Sequence, residues 1–123
     1  MRALWMLLAL TSISAAPALA QDPVEVDPDH YKVEFENDQI RVLRITYGPN
    51  EKSVMHDHPA GVAVFLTDSK SRFTVPDGEA VEFDRKAGEA MWTEAGLHLP
   101  ENMTDQPFEL ILVELKGPAH AHE

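Results

Sequence analysis

The chain of 123 residues has no cysteine, and only 10 lysines and arginines against 21 aspartates and glutamates. Without thiols there are no disulfide staples, no redox cysteine pair and no cysteine-held zinc. With a formal charge of −11 the protein lacks the basic surface that nucleic acid and anionic membranes require, so neither is an expected partner. A Ser-His-Asp set, a glycine-rich phosphate loop and carboxylates paired at an informative spacing are also missing. No segment shows a convincing 3.6-residue apolar period, which argues against a helical domain, and no internal repeat is present.

One apolar stretch stands apart from the rest. Met1-Arg2 provides a short positive start, Leu4 to Ile13 an apolar run too short to span a bilayer, and Ala18-Leu19-Ala20 a small-residue cleavage site. Residues 1–20 therefore read as an export signal, and the expected location is periplasmic or secreted. Removing them takes away Arg2 and no acid, moving the formal charge from −11 to −12. The remaining 103 residues are enough for one small core and not two. The expected organisation is an extended lead-in over 21–30, one domain over 31–117 and a polar tail over 118–123.

From Tyr31 onward, short segments of β type alternate with turn signals. The expected strands are Tyr31–Glu36, Gln39–Tyr47, Ser53–His58, Val62–Thr67, Ser71–Val75, Ala80–Asp84, Ala90–Thr93, Leu97–His98 and Phe108–Lys116. Asn37-Asp38, Gly48-Pro49-Asn50, Pro59-Ala60-Gly61, Pro76-Asp77-Gly78 and Ala95-Gly96 supply the turns between them. "FELILVELK" could pass for a helix by propensity, but Pro107 before it, β-branched Ile111 and Val113 within it and its short length favour a buried terminal strand. Eight or nine such strands make an all-β barrel or jelly roll, the architectures that hide strand edges.

Side chains alternate faces along a strand, so His56 and His58 point the same way, with Asp57 opposite. Two imidazoles so placed can converge on one ion, and His98, from a late strand, can complete a set of three. Three imidazoles hold a metal while leaving positions open to water or substrate. The same residues could instead bind a polar ligand directly. Proton competition for histidine ligands is expected at and below a pH of about 6.5.

Here the chain resembles a small single-domain cupin. The first cupin motif, G-x5-HxH-x3,4-E-x6-G, is echoed by Gly48 and, after seven residues, His56-Asp57-His58. The second, G-x5-PxG-x2-H-x3-N, is echoed by Gly88, Gly96, His98 and Asn102. The resemblance implies a cupin-type double-stranded β-helix, or jelly-roll barrel. It also implies His56, His58 and His98 as ligands of one divalent transition metal (iron, zinc, manganese, nickel or copper) and a homodimer paired through strand edges. Cupins with three-histidine sites suggest a dioxygenase, or a Lewis-acid isomerase or lyase; the alternatives are a non-catalytic small-ligand or metal-binding module and a structural cupin without metal.

The chain departs from the pattern at informative places. The glutamate of the first motif would fall at Val62 or Ala63, and neither can ligate. Glu94 replaces the usual proline of the second motif, and one residue rather than two separates Gly96 from His98. A +2 ion on three neutral imidazoles would lack protein compensation, so an anionic or enolisable small molecule is the expected ligand.

Other residues read as structural with a functional alternative. Phe65, Met91 and Trp92 are candidates for the core or the pocket wall. Glu101 suits an exposed loop carboxylate or a general base, and Asn102 a turn former. Arg41 and Arg44 suit outward ion pairs or a carboxylate clamp. His30 reads as a surface residue, and His120 and His122 as a solvated tail or a capturing pair for copper, nickel or zinc.

Overall fold

Residues 21–117 are described by a computed structural model in which one helical turn is followed by nine strands. The export signal and the His120/His122 pair lie outside the described residues. The turn, α1 (Pro23–Val26), replaces the expected extended lead-in. Asp22 caps it by accepting from the Val24 backbone N–H at 2.9 Å, and Pro23 follows at the first helical positions, where its fixed φ and missing N–H cost nothing.

The strands are β1 (Tyr31–Glu36), β2 (Ile40–Tyr47), β3 (His56–His58), β4 (Gly61–Phe65), β5 (Ser69–Thr74), β6 (Ala80–Arg85), β7 (Ala90–Thr93), β8 (Gly96–Asn102) and β9 (Phe108–Leu115). They form two antiparallel sheets, ordered β1-β2-β9-β4-β7 and β3-β8-β5-β6. This is the expected all-β double-stranded β-helix. From β2 to β9 the chain crosses to the other sheet at every step except β5 to β6, so the two halves of the barrel close over one interior.

Alternation explains which residues fill that interior. On β2, Leu43, Ile45 and Tyr47 are buried; on β9, Phe108 and Leu112; on β4, Ala63 and Phe65. Tyr31 joins them, and Val24 of α1 packs against the cluster. Each large apolar side chain so buried contributes roughly 1.5–3 kcal/mol. The outer face of the first sheet carries a second apolar row, in which Phe35, Val42, Val113, Val62 and Trp92 are successive cross-strand partners.

Two differences from the sequence expectation bear on the site. β8 runs from Gly96 to Asn102 and is not confined to Leu97–His98. It passes through Pro100 because that residue's carbonyl accepts from Ser53 N–H at 2.9 Å on the side beyond the end of β3, so the missing proline donor breaks no regular ladder. The Pro59-Ala60-Gly61 turn ends on the first residue of β4, where a Cβ on Gly61 would lie 2.2 Å from the Val113 carbonyl oxygen. Glycine is required there by close approach of backbone.

Candidate metal centre

The antiparallel pairing of β3 with β8 places His56 directly opposite His98. His58 lies one pleat further along the same face of β3, while Asp57 points away, half-buried. His56 and His58 are buried at 0% and 4% exposure. The three rings meet with centroids 4.7, 4.9 and 5.1 Å apart, and one ligating nitrogen from each lies within 4.8 Å of the other two.

Hydrogen bonds behind the rings settle which nitrogens face inward. His56 Nδ1 lies 2.8 Å from the Val54 carbonyl, which can only accept, so that nitrogen carries hydrogen. His58 Nδ1 donates to Glu114 at 2.7 Å. Both Nε2 atoms are then turned toward each other, 3.0 Å apart. Two lone pairs at that distance repel unless a cation lies between them. A proton on His58 would satisfy that contact but would leave His98 Nε2, which is buried without a hydrogen-bond partner. A metal ion satisfies all three. Nitrogens about 2.0–2.1 Å from a shared ion sit about 3 Å apart when adjacent in its coordination sphere, so the donor set fits.

Burial lowers the pKa of His56 to about 4, with the neighbouring His58 adding to the effect, and that of His98 to about 3 for the same reasons. The expectation that protons compete near 6.5 is therefore corrected for these two imidazoles. A desolvated imidazole resists protonation, and competition at His56 and His98 begins at much lower pH.

A buried polar layer that the sequence reading missed supports the trio. Glu114 on β9, 1% exposed, accepts from His58 and also from Arg41 Nε at 2.7 Å. Arg41 in turn grips Asp22 with both terminal nitrogens, at 2.8 and 2.9 Å. Arg41 thus points inward, contrary to the outward pairing expected, whereas Arg44 pairs outward with Glu34 and Glu109. The carboxylate absent at Val62 and Ala63 is supplied across the ladder, since Glu114 is the partner of Gly61. It touches His58 from behind, orienting the ring and placing negative charge near the cluster, so the charge of a bound ion would not go uncompensated. The signal was present in "FELILVELK": Glu114 shares the inward parity of Leu112.

On the other side, Ser53 Oγ lies 3.2 Å from His56 Nδ1 and donates to Asp27 at 2.5 Å, and Asp27 accepts from His30 Nδ1 at 2.8 Å. His30 is stacked on Tyr47 with centroids 4.4 Å apart, so it is no surface residue. The Tyr31 and Tyr47 hydroxyls share a hydrogen bond of 2.5 Å, and burial pushes both pKa values up, so they stay protonated.

Above the imidazoles lies a cavity of about 60 Å³, which shares part of its wall with an outer groove of about 330 Å³. Phe73, Phe83, Met91, Thr93, Glu94 and His98 line both. Phe65 walls the inner space and Trp92, half-exposed, the outer, so all three aromatic and methionine candidates lie at the cavity. Thr93 Oγ1 is buried there without a partner. Glu101 and Asn102 belong to β8 rather than to a loop. Glu101 faces Arg72 at 4.0 Å; Asn102, 1% exposed, ties the Gly48 and Gln106 carbonyls at 2.9 and 2.7 Å, a structural role.

A double-stranded β-helix with an imidazole trio inside defines the class, and comparison with solved structures agrees. A cupin domain from Bordetella pertussis superposes with a TM-score of 0.65 at 22% identity, over 71% of this chain and 92% of that one. A double-stranded β-helix protein from Klebsiella pneumoniae gives 0.58 at 20% identity, over 73% and 78%. The DMSP lyase DddQ from Ruegeria pomeroyi gives 0.53 at 13% identity, over 77% and 51%. No protein-family model and no curated protein matches the sequence. The fold is that of a small cupin domain.

Proposed function

We propose that this is an exported cupin-fold protein that holds one divalent transition metal on His56, His58 and His98 and receives a small molecule in the adjoining cavity, as a dioxygenase or a Lewis-acid isomerase or lyase. Iron, zinc, manganese, nickel and copper all suit imidazole donors. The observation that carries the reading is the set of inward Nε2 atoms, two facing each other at 3.0 Å and the third buried without a partner. When bound, such an ion polarises a carbonyl or activates water or oxygen. The chain's own residues do the rest. Glu114 and the Val54 carbonyl hold two rings in the ligating tautomer, the phenylalanines and Met91 exclude water, and Thr93 Oγ1 offers a hydrogen bond to the ligand.

A second reading, a binding module without turnover, is favoured by one observation. Among the described residues, the only carboxylate on the cavity wall is Glu94, which is exposed and accepts from Trp92 Nε1 at 3.0 Å. The barrel itself is compatible with lyase chemistry, since an oxalate decarboxylase from Bacillus subtilis and the DMSP lyase share the fold. A homodimer through the Phe35–Trp92 row belongs to the same proposal, because an uncharged row is where two copies of a chain of charge −11 approach without repulsion. Light scattering would read it as a doubled mass.

Elemental analysis of protein purified without tag or chelator, beside a His98→Ala variant, tests the metal. The expected result is about one ion per chain, lost in the variant. Wild-type protein that is empty and refuses all five metals would refute the three-histidine reading.

A further inference from the structure

The single helical turn carries an aspartate at each end, and each leads to a different histidine of the trio. At the N-cap, Asp22 grips Arg41, whose Nε donates to Glu114, which accepts from His58 Nδ1. At the C-cap, Asp27 accepts from Ser53 Oγ at 2.5 Å, and Ser53 Oγ lies 3.2 Å from His56 Nδ1. Buried Pro23, and Val24 packed on the core, hold the turn in place between the two arms.

The arms differ in kind. Glu114 touches His58 directly and has no hydrogen to give, whereas the group that touches His56 is a hydroxyl, with one hydrogen, two lone pairs and a freely rotating bond. Asp27 takes that one hydrogen, so Ser53 presents only lone pairs to His56 and shares the Nδ1 hydrogen with the Val54 carbonyl, 2.8 Å from the ring. Remove Asp27, and the hydroxyl can swing round to donate to Nδ1. That contact favours the opposite tautomer, with the hydrogen on Nε2. The opposite tautomer also has an attraction of its own in metal-free protein, because a hydrogen on His56 Nε2 would bridge the 3.0 Å to His58 Nε2 and relieve the repulsion of two lone pairs. His56 would then have no lone pair to offer an ion.

We infer that Asp27 is a positioning residue for the histidine site: by taking the Ser53 hydrogen it keeps His56 in the tautomer whose Nε2 lone pair faces His58 and His98. It acts through Ser53 and touches no ligand ring of the trio. Its consequence for metal affinity rests on the three-histidine reading, whereas its hold on the His56 tautomer does not.

The test compares wild type with Asp27→Ala, Ser53→Ala and the double variant. In chelated protein labelled at its histidine ring nitrogens, nitrogen NMR reads which atom of His56 carries the hydrogen. Wild type should show it on Nδ1, Asp27→Ala should show a fraction on Nε2, and the double variant should return to Nδ1 because no hydroxyl is left to donate. Zinc affinity, from competition with a chromophoric chelator, should fall about tenfold in Asp27→Ala and stay within about twofold of Ser53→Ala in the double variant. An aspartate that only supports the fold would weaken binding alike in both backgrounds and leave the tautomer unmoved. Wild-type His56 with its hydrogen on Nε2, an Asp27→Ala tautomer identical to wild type, or equal affinity losses with and without Ser53 would overturn the inference; the first is read on wild type and needs no variant to fold. The tautomer shift in protein that takes up no zinc would support the role of Asp27 and count against the metal reading alone.

Discussion

Replacing Glu114 by glutamine tests whether the cluster is a metal site or a packed polar core. The carboxylate is 1% exposed and makes two contacts of 2.7 Å, accepting from His58 Nδ1 and from Arg41 Nε. Glutamine keeps the shape but has only one oxygen. If the oxygen faces His58, its NH2 group meets a guanidinium; if it turns, the NH2 group meets the His58 N–H. One charge-assisted hydrogen bond is lost in either case, and a roughly 1.5–3 kcal/mol loss of stability follows. For a domain of this size that corresponds to a melting temperature lower by about 10 °C. Arg41 retains Asp22, which limits the damage. Because Glu114 also fixes the ligating tautomer of His58, zinc affinity should fall about 10- to 100-fold in competition with a chromophoric chelator. A folded, less stable variant whose zinc affinity stays within about twofold of wild type would refute this role: Glu114 would then be a structural acid.

Two further outcomes follow from the geometry. In chelated protein, the folded state resists protons at His56 (pKa about 4) and His98 (about 3), while the unfolded chain takes them near 6.5. The unfolded state therefore binds more protons in that interval, so stability is full above about 6.5 and falls as pH drops toward 4 and then 3, by roughly 3 kcal/mol for His56 alone. Urea melts at stepped pH measure it, and a flat profile between pH 6.5 and 4 would contradict the assigned burial. Gly61→Ala should cost about 3 kcal/mol or more, since its Cβ would meet the Val113 carbonyl oxygen at 2.2 Å. A thermal melt near the wild-type value would show that β4 and β9 are not so closely apposed.

Most of the barrel was legible because strand signals are local. Alternating β-branched and aromatic residues between turn-forming pairs placed all nine strands, and Tyr31–Glu36 and Ala90–Thr93 were matched at both ends. The failures came where a tertiary contact overrode a local rule. The polar segment around Pro100 reads as loop, yet it extends β8 because β5 pairs with it from one side. Asn102 reads as a turn former and is one, its Oδ1 accepting from the Thr104 N–H at 3.0 Å, but its buried amide nitrogen also ties two loop carbonyls that no local rule would pair.

The histidine site divides in the same way. The spacing of His56 and His58 requires a shared face on any strand, and the resemblance to cupin motifs singled out His98, so the trio could be named from sequence. That β3 lies against β8 with His56 opposite His98 could not, because register between strands some forty residues apart is set by the closing of the whole barrel. The same holds for Glu114, Arg41 and Asp22, which sequence scatters across the chain and the fold joins behind His58. Sequence determined the strands, the faces and the donor types, because each depends on neighbours along the chain. Tertiary structure alone decided which polar groups meet, which are left unsatisfied and where the cavity lies, because these depend on which buried faces the two sheets bring together.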